Sequence, residues 1–464
     1  MKTLRVTFVF LLSIVLVLSS CAGDTAETTP PQQSGSGSGN RPDKPGGGSG
    51  GSHGGGPGGS SSTVVYAGST EITAAATVSG RTYSSTTSDV SALLISTSEA
   101  VTLSDPVVTK SGDSDGGDNC NFYGQNAAVL VKGGSTTTIT GGTITSDAKG
   151  ANGVFSYGGN GGKNSASGDG TKVIISDTVI TTTGSGSGGI MTTGGGITEA
   201  YNLSVTTSGV SSAPIRTDRG GGTVIVDGGT YTSNGLGSPA IYSTADITVK
   251  NAALVSNLSE GVCIEGKNTI TLINCNLTAS NTRCNGNAKF LDTIMIYQSM
   301  SGDADSGTST FTMTGGTLTS NSGHVFHVTN TRAVINLNNV TIVNNDDAGV
   351  LLSVCDDGWS GASNIATVNA SGQTLEGTIL VGSDSSLTLN LKDGSSFTGS
   401  FSGSIRNVSG TSVSTSVGTV NVTVEEGCTW TLTADTYVTS FTNNGNLNSN
   451  GHTLYVNGVA QFLI

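Results

Sequence analysis

The chain has 464 residues, 70 of them glycine, and only 11% are charged, with 19 Lys and Arg against 32 Asp and Glu for a formal net charge of −13. A composition this acidic and this poor in Lys does not suit a phosphate backbone and excludes nucleic acid as the expected partner. Glycine at this density also interrupts any long helix, so strands and turns are the elements to look for.

In chain order, residues 1–21 place Lys2 and Arg5 before an apolar run over 6–18, followed by Ser19, Ser20 and Cys21. The run is about 13 residues where a membrane span needs about 20, so it reads as a secretory signal. The segment around Cys21 resembles the bacterial lipobox, which implies that Cys21 is diacylated and becomes the first residue of the mature protein. Residues 22–62 are dominated by Gly, Ser and Pro, cannot bury a core, and are expected to act as a flexible tether. The rest, 63–464, reads as one continuous domain.

That domain repeats. Ten times an apolar or small anchor is followed by four residues and a second anchor, as in Ile139 with Ile144 and Met313 with Leu318. At the second of the four intervening positions stand Asp105, Gly141, Asp177, Ala200, Gly228, Asn251, Asn274, Gly315, Asn339 and Gly372. All but Ala200 are residue types that tolerate the left-handed backbone region, so a tight corner is expected there. Where nothing is inserted the spacing is 23 or 24 residues, as from Val226 to Val249, Val249 to Leu272 and Met313 to Leu337. A period of that length signals a solenoid. The runs beside the corners are short, rich in Thr, Val and Ile, and alternate with period two, which makes them strands. The fold class follows: all-β, a right-handed single-stranded parallel β-helix of about 12 coils with inserted loops, the handedness taken from the rule for parallel crossovers.

A second set of strands starts with an aliphatic residue, as in Val154, Ile190, Ile215, Ile241, Val262, Ile294 and Val325. If the first position faces the core, alternation turns the second and fourth outward. Those positions hold Phe155, Tyr157, Met191, Arg216, Asp218, Tyr242, Glu265, Tyr297 and Phe326, and Arg219 follows directly. Flat rings suit the apolar faces of sugars and charged groups suit their hydroxyls or carboxylates, so this column is the candidate glycan groove. The competing expectation is that inserted loops cover it.

For catalysis the best constellation is Arg216, Asp218 and Arg219 in one coil with Glu265 and Lys267 two coils on, about 9.6 Å further along the axis. That separation is at the upper limit for inverting hydrolysis. Asp113, Asp115 and Asp118 are the candidate metal ligands, for calcium, although Gly124 stands where an EF-hand would place an acid. His324 and His327, on the strand with Val325, are expected to be hydrogen-bonded core or edge histidines rather than metal ligands. No Ser-His-Asp order or phosphate loop is visible. Cys120, Cys263, Cys275, Cys284, Cys355 and Cys428 are either buried thiols or members of one to three disulfides, with Cys275 and Cys284 the first pair to test.

The coil pattern resembles right-handed parallel β-helix proteins of the pectin-lyase-like class. Together with the lipobox, the tether and the closing segment 429–459, it resembles the adhesin-like and carbohydrate-binding β-helix surface lipoproteins of anaerobic Gram-positive bacteria. The resemblance implies a monomeric lipoprotein, anchored to the membrane through Cys21 on the cell surface, that binds a cell-wall or host polysaccharide. A polysaccharide lyase or glycoside hydrolase is the alternative, and a structural or ice-binding solenoid the second alternative, although insertions are expected to break a regular Thr lattice.

Overall fold

The computed structural model describes residues 64–115, 117–162 and 167–461; the signal, Cys21 and the tether lie outside the described residues. Alternation sets each strand's two faces. In Thr136–Thr140, Thr137 and Ile139 are buried while Thr136 and Thr140 are exposed, the signature of a strand with one face on a core. Such strands stack coil on coil into three walls. The first wall has thirteen parallel strands, running from Gly68–Ile72 through Ile215–Thr217 to Phe401–Ser402. The fold is a parallel β-helix, with one strand more in this wall than the expected coil number.

The second wall contains Ala100–Ser104, Thr136–Thr140 and Lys172–Ser176 in register, and the third contains Val107–Lys110, Thr143–Ser146 and Val179–Thr182. The three walls enclose one continuous aliphatic core, including Ile139, Ile175, Ile241, Leu272 and Leu318, all about 0% exposed. Because each coil contacts mainly its neighbours, the chain can bury this core without a globular cross-section.

The corner between the second and third walls keeps the same two-residue form. Asp105, Gly141, Asp177, Gly228, Asn251, Asn274, Gly315, Asn339 and Gly372 all have φ between 48° and 77°. Ala200 does not, and the reason is register: Ala200 pairs with Ile175 and Val226, so it is itself the anchor, and Asn202 takes the corner with φ 52°. The apparent exception is a two-residue misalignment of that coil. Corner amides reach the next coil, as when Asp105 N–H donates to the Thr140 carbonyl at 2.8 Å and Gly141 N–H to the Ser176 carbonyl at 2.9 Å.

At the C-terminal end Trp430 is fully buried, stacks near Phe397, and donates its indole N–H to the Gly399 carbonyl at 3.1 Å. Val459–Gln461 then pairs antiparallel with Leu454–Val456, covering one strand of the last coil. None of the six cysteines among the described residues forms a disulfide. Cys275 belongs to the inner core while Cys284 packs outside the first wall, so the pair favoured by sequence proximity is separated by the sheet.

The corner glycines are constrained twice, by φ and by space. A Cβ on Gly141 would lie 2.2 Å from Asp105 Oδ1, and one on Gly228 would lie 2.3 Å from Asn202 Oδ1. Gly141→Val and Gly228→Val are each expected to destabilise the domain by more than about 1 kcal/mol in chemical denaturation. An unchanged midpoint in both variants would show that the corner does not constrain the fold.

Candidate binding face

The outer side of the first wall carries the column Phe155, Met191, Arg216, Tyr242, Cys263 and Met295, each in register with the next. These side chains point away from the inner core, as alternation requires. They do not reach solvent: Arg216 is 4% exposed, Tyr242 2%, Tyr157 8%, and Phe155, Met191, Asp218, Glu265 and Tyr297 are 0%. The expectation of an open aromatic groove is therefore corrected, and only Lys267 among the candidate catalytic groups is exposed.

Inserted segments form the cover. Leu94, Leu130, Phe155, Tyr157 and Met191 make one satellite cluster with Tyr123 from the short helix Asp118–Tyr123. Tyr242, Cys263, Met295 and Tyr297 make another with Trp359, whose ring centroid lies 5.0 Å from that of Tyr297. Polar groups pin the segments together. Arg219 pairs with Asp303 at 2.7 Å and lies 3.9 Å over the Phe122 ring, and Thr193 donates to the Phe122 carbonyl at 2.7 Å. Arg216 pairs with Asp218 at 3.0 Å and donates to the Ser211 carbonyl at 3.1 Å. The Glu265 carboxylate accepts from Tyr242, Tyr297, Ser299 and Ser301. Burial and then the neighbouring Glu265 push the Tyr242 and Tyr297 phenols well above their ordinary range, so both stay protonated and donate. These acids are tied into the cover rather than presented to a substrate.

Strand His324–Thr329 departs from the predicted alignment by one residue. Phe326, not Val325, pairs with Ile294, so Phe326 joins the inner core and His327 falls in the outer column beside Met295 and Ser353. A one-residue shift moves every side chain to the other face. The shift assembles a constellation that chain order did not reveal: His327 Nδ1 and His324 Nδ1 each lie 2.7 Å from Ser353 Oγ, and His327 Nε2 lies 3.1 Å from Asp357 Oδ2. His327 and Ser353 are fully buried under Phe290, so no substrate reaches the serine. Burial, then the adjacent His327, lowers the His324 pKa to about 3, leaving the ring neutral.

Among the described residues no three His, Cys, Asp or Glu side chains are grouped as a metal ion would require. Asp113, Asp115 and Asp118 are exposed, and Asp113 accepts the Lys149 N–H at 2.8 Å.

The open surface lies on the other two walls. On the third wall Thr109, Thr145, Thr181, Thr206 and Thr232 form an outward column in register, which continues through Val255, Thr278, Thr319 and Val343. On the second wall Asn390 donates to Asn369 and Asn369 to Asn336, each at 2.9 Å, a ladder of side-chain amides. The long insertions, 111–128, 158–171, 280–291, 298–307 and 355–363, all adjoin strands of the first wall. Their described residues cover that wall, and no insertion interrupts the outward column between Thr109 and Val343. Phe122, Tyr123 and Trp359 inside these insertions were the available sequence signal, since rings in otherwise polar loops need an apolar surface to cover. No protein-family model matches the chain, and no curated protein or solved structure does so either.

Two substitutions test the covered layer. Arg216→Ala leaves Asp218 buried without its guanidinium and is expected to destabilise by roughly 3–5 kcal/mol in denaturant unfolding; a change under about 1 kcal/mol would mean that the face is open. Asp292 is 1% exposed with neither carboxyl oxygen hydrogen-bonded, and burial, then Glu260 and Asp357, raises its pKa well above the usual carboxylate range. A raised folded-state pKa costs stability once pH exceeds the unfolded value, so Asp292→Asn is expected to stabilise at pH 7. The gain should shrink as pH falls toward 4, and a gain that grew on acidification would contradict the assignment.

Proposed function

We propose that this chain is a non-catalytic binding protein that holds an extended polysaccharide along the open faces of its second and third walls. The observation that carries the reading is the contrast between walls: the one rich in aromatic and charged groups is sealed, while the hydroxyl- and amide-rich ones are partly exposed and periodic. One coil rises about 4.8 Å, close to one sugar, so a polymer can meet the same group at each step. A single hydroxyl contact in water contributes only about 0.5–1.5 kcal/mol, so retention would come from repetition along the column. The lipobox-like Cys21 and the Gly/Ser tether fit a surface lipoprotein of the adhesin-like, pectin-lyase-like kind, held off the membrane. The sealing of Arg216, Asp218 and Glu265 argues against the lyase and hydrolase alternatives.

A second reading, binding of ice or ordered water, is favoured by one observation: no insertion interrupts the run of Thr109, Thr145, Thr181, Thr206 and Thr232. One variant addresses both. Thr181→Val with Thr206→Val and Thr232→Val keeps β-branched shape and removes three hydroxyls. Retention on the polysaccharide identified by a glycan array is expected to fall about tenfold, equivalent to about 1.4 kcal/mol, with the thermal midpoint nearly unchanged. Wild-type binding that survives the triple variant would sink the glycan reading on this face. Thermal hysteresis in the wild type, lost in the variant, would identify ice as the ligand instead.

A further inference from the structure

Where first-wall strands lead into the second wall, one short link lies between two long ones. Strand His324–Thr329 passes to Arg332–Asn338 through Asn330 and Thr331 alone, whereas the coil before it inserts 298–307 and the coil after it 355–363. The short link is therefore the floor of a notch whose sides are loops. Asn330, 3% exposed and with φ 54°, holds both loops. Its Nδ2 donates to the Gln298 carbonyl at 2.7 Å and to the Ser360 carbonyl at 3.4 Å, and its Oδ1 accepts the Ala362 N–H at 2.7 Å. Its own N–H donates to Asn364 Oδ1 at 2.7 Å. A cleft of about 320 Å³ remains, at the small end of the range for ligand sites.

The lining joins Arg332 to the exposed Ser306, Thr308 and Ser363 and to the apolar Ala362 and Ile365. Thr308, Arg332 and Ile365 are in register at the start of the second wall, so the cleft opens onto that wall. An exposed arginine is ordinary by itself. This one stands in a cleft that no carboxylate lines, in a chain with 32 acids and 19 bases. Lys172, Arg216, Arg219 and Lys392 each pair with an acid, and Arg332 has no such partner among the described residues. At the margin the Lys267 side chain lies against Gly307, and Asp305 precedes Ser306. Their charges offset, so the net charge presented is that of Arg332.

We propose that this cleft binds one N-acetylated sugar carrying a single anionic substituent, a carboxylate or a sulfate ester. A guanidinium presents a planar fork that takes such a group with two parallel hydrogen bonds. One positive charge matches a monoanion, whereas a phosphate monoester brings about two negative charges at pH 7. Ser306, Thr308 and Ser363 suit the ring hydroxyls, and Ala362 with Ile365 gives the acetyl methyl an apolar contact. The inference rests on the glycan reading and narrows it: the polymer laid on the second wall carries or ends in an acidic amino sugar.

The full chain is titrated with N-acetylneuraminic acid, N-acetylglucosamine 6-sulfate and neutral N-acetylglucosamine, followed by saturation-transfer NMR. Saturable binding of an acidic sugar is expected, about tenfold or more tighter than the neutral one, and the acid that binds identifies the anion as carboxylate or sulfate. Arg332→Gln should weaken it by about tenfold or more, and Arg332→Lys, which keeps the charge without the fork, should restore only part. Ala362→Trp fills the cleft while sparing the backbone bond to Asn330, and should abolish binding with the thermal midpoint nearly unchanged. Arg81→Gln, at an exposed site in the first coil, should leave affinity as it is. The proposal is overturned by absence of saturable binding of either acid, by equal affinity for the neutral sugar or for inorganic sulfate, by affinity retained in Arg332→Gln or Ala362→Trp, or by an equal loss in Arg81→Gln. Polysaccharide retention, measured on the same samples, separates the two ideas. Retention that depends on the Thr column without acidic-sugar binding sinks the cleft alone, and acidic-sugar binding without such retention sinks the column alone.

Discussion

The corner between the second and third walls turns through a residue in the left-handed backbone region in each of the ten repeats, and the rest of the molecule depends on the stacking of those turns. An L-residue with a Cβ pays about 1–2 kcal/mol to sit there, which confines the position to Gly, Asn and Asp. Asn and Asp side chains in one coil occupy the space over a Gly of the next, as Asp105 does over Gly141 and Asn202 over Gly228. The corner therefore fixes both where the chain turns and which residue stands above it. A slip by one residue would expose the inner column and bury the Thr column.

Because that corner admits no extra residue, length variation is driven to the two ends of the first-wall strand. Loops inserted there have only one surface within reach, the outer side of the first wall, and their aromatic residues fold onto it. A second core results, with buried ion pairs and a fully hydrogen-bonded Glu265 where an alternating strand alone would show an open face. Such buried polar contacts contribute less to net stability than to specifying which loop lies where. The same division of labour leaves the two remaining walls uncovered, so their periodic hydroxyl and amide groups become the accessible chemistry.

The third wall is interrupted once, where no ladder joins Thr341–Asn344 to Thr374–Glu376. In these two coils the link between the third and first walls shortens abruptly, and there the third-wall strands lose their ladder while the second wall keeps its own. Gln373 and the Gly349 carbonyl hold the margins, so the opening stays local.

The coil, the anchors and the corner are legible in the order of residues because they are local: a φ preference at one residue and alternation along four or five. Phe155, Tyr157, Arg216, Tyr242 and Glu265 fall on the side of the first wall away from the inner core for the same reason. Their burial is a different matter. Whether an outward side chain meets water depends on where a loop of ten or more residues comes to lie, and no local periodicity encodes that. The register of Ala200 and of Phe326 is likewise settled by neighbouring coils, since pairing with Ile175 or Ile294 outweighs the pattern within a single strand. The joining of His327, Ser353 and Asp357 and the opening beside Ile342 arise between coils, from stacking geometry that the order of residues along one coil does not contain.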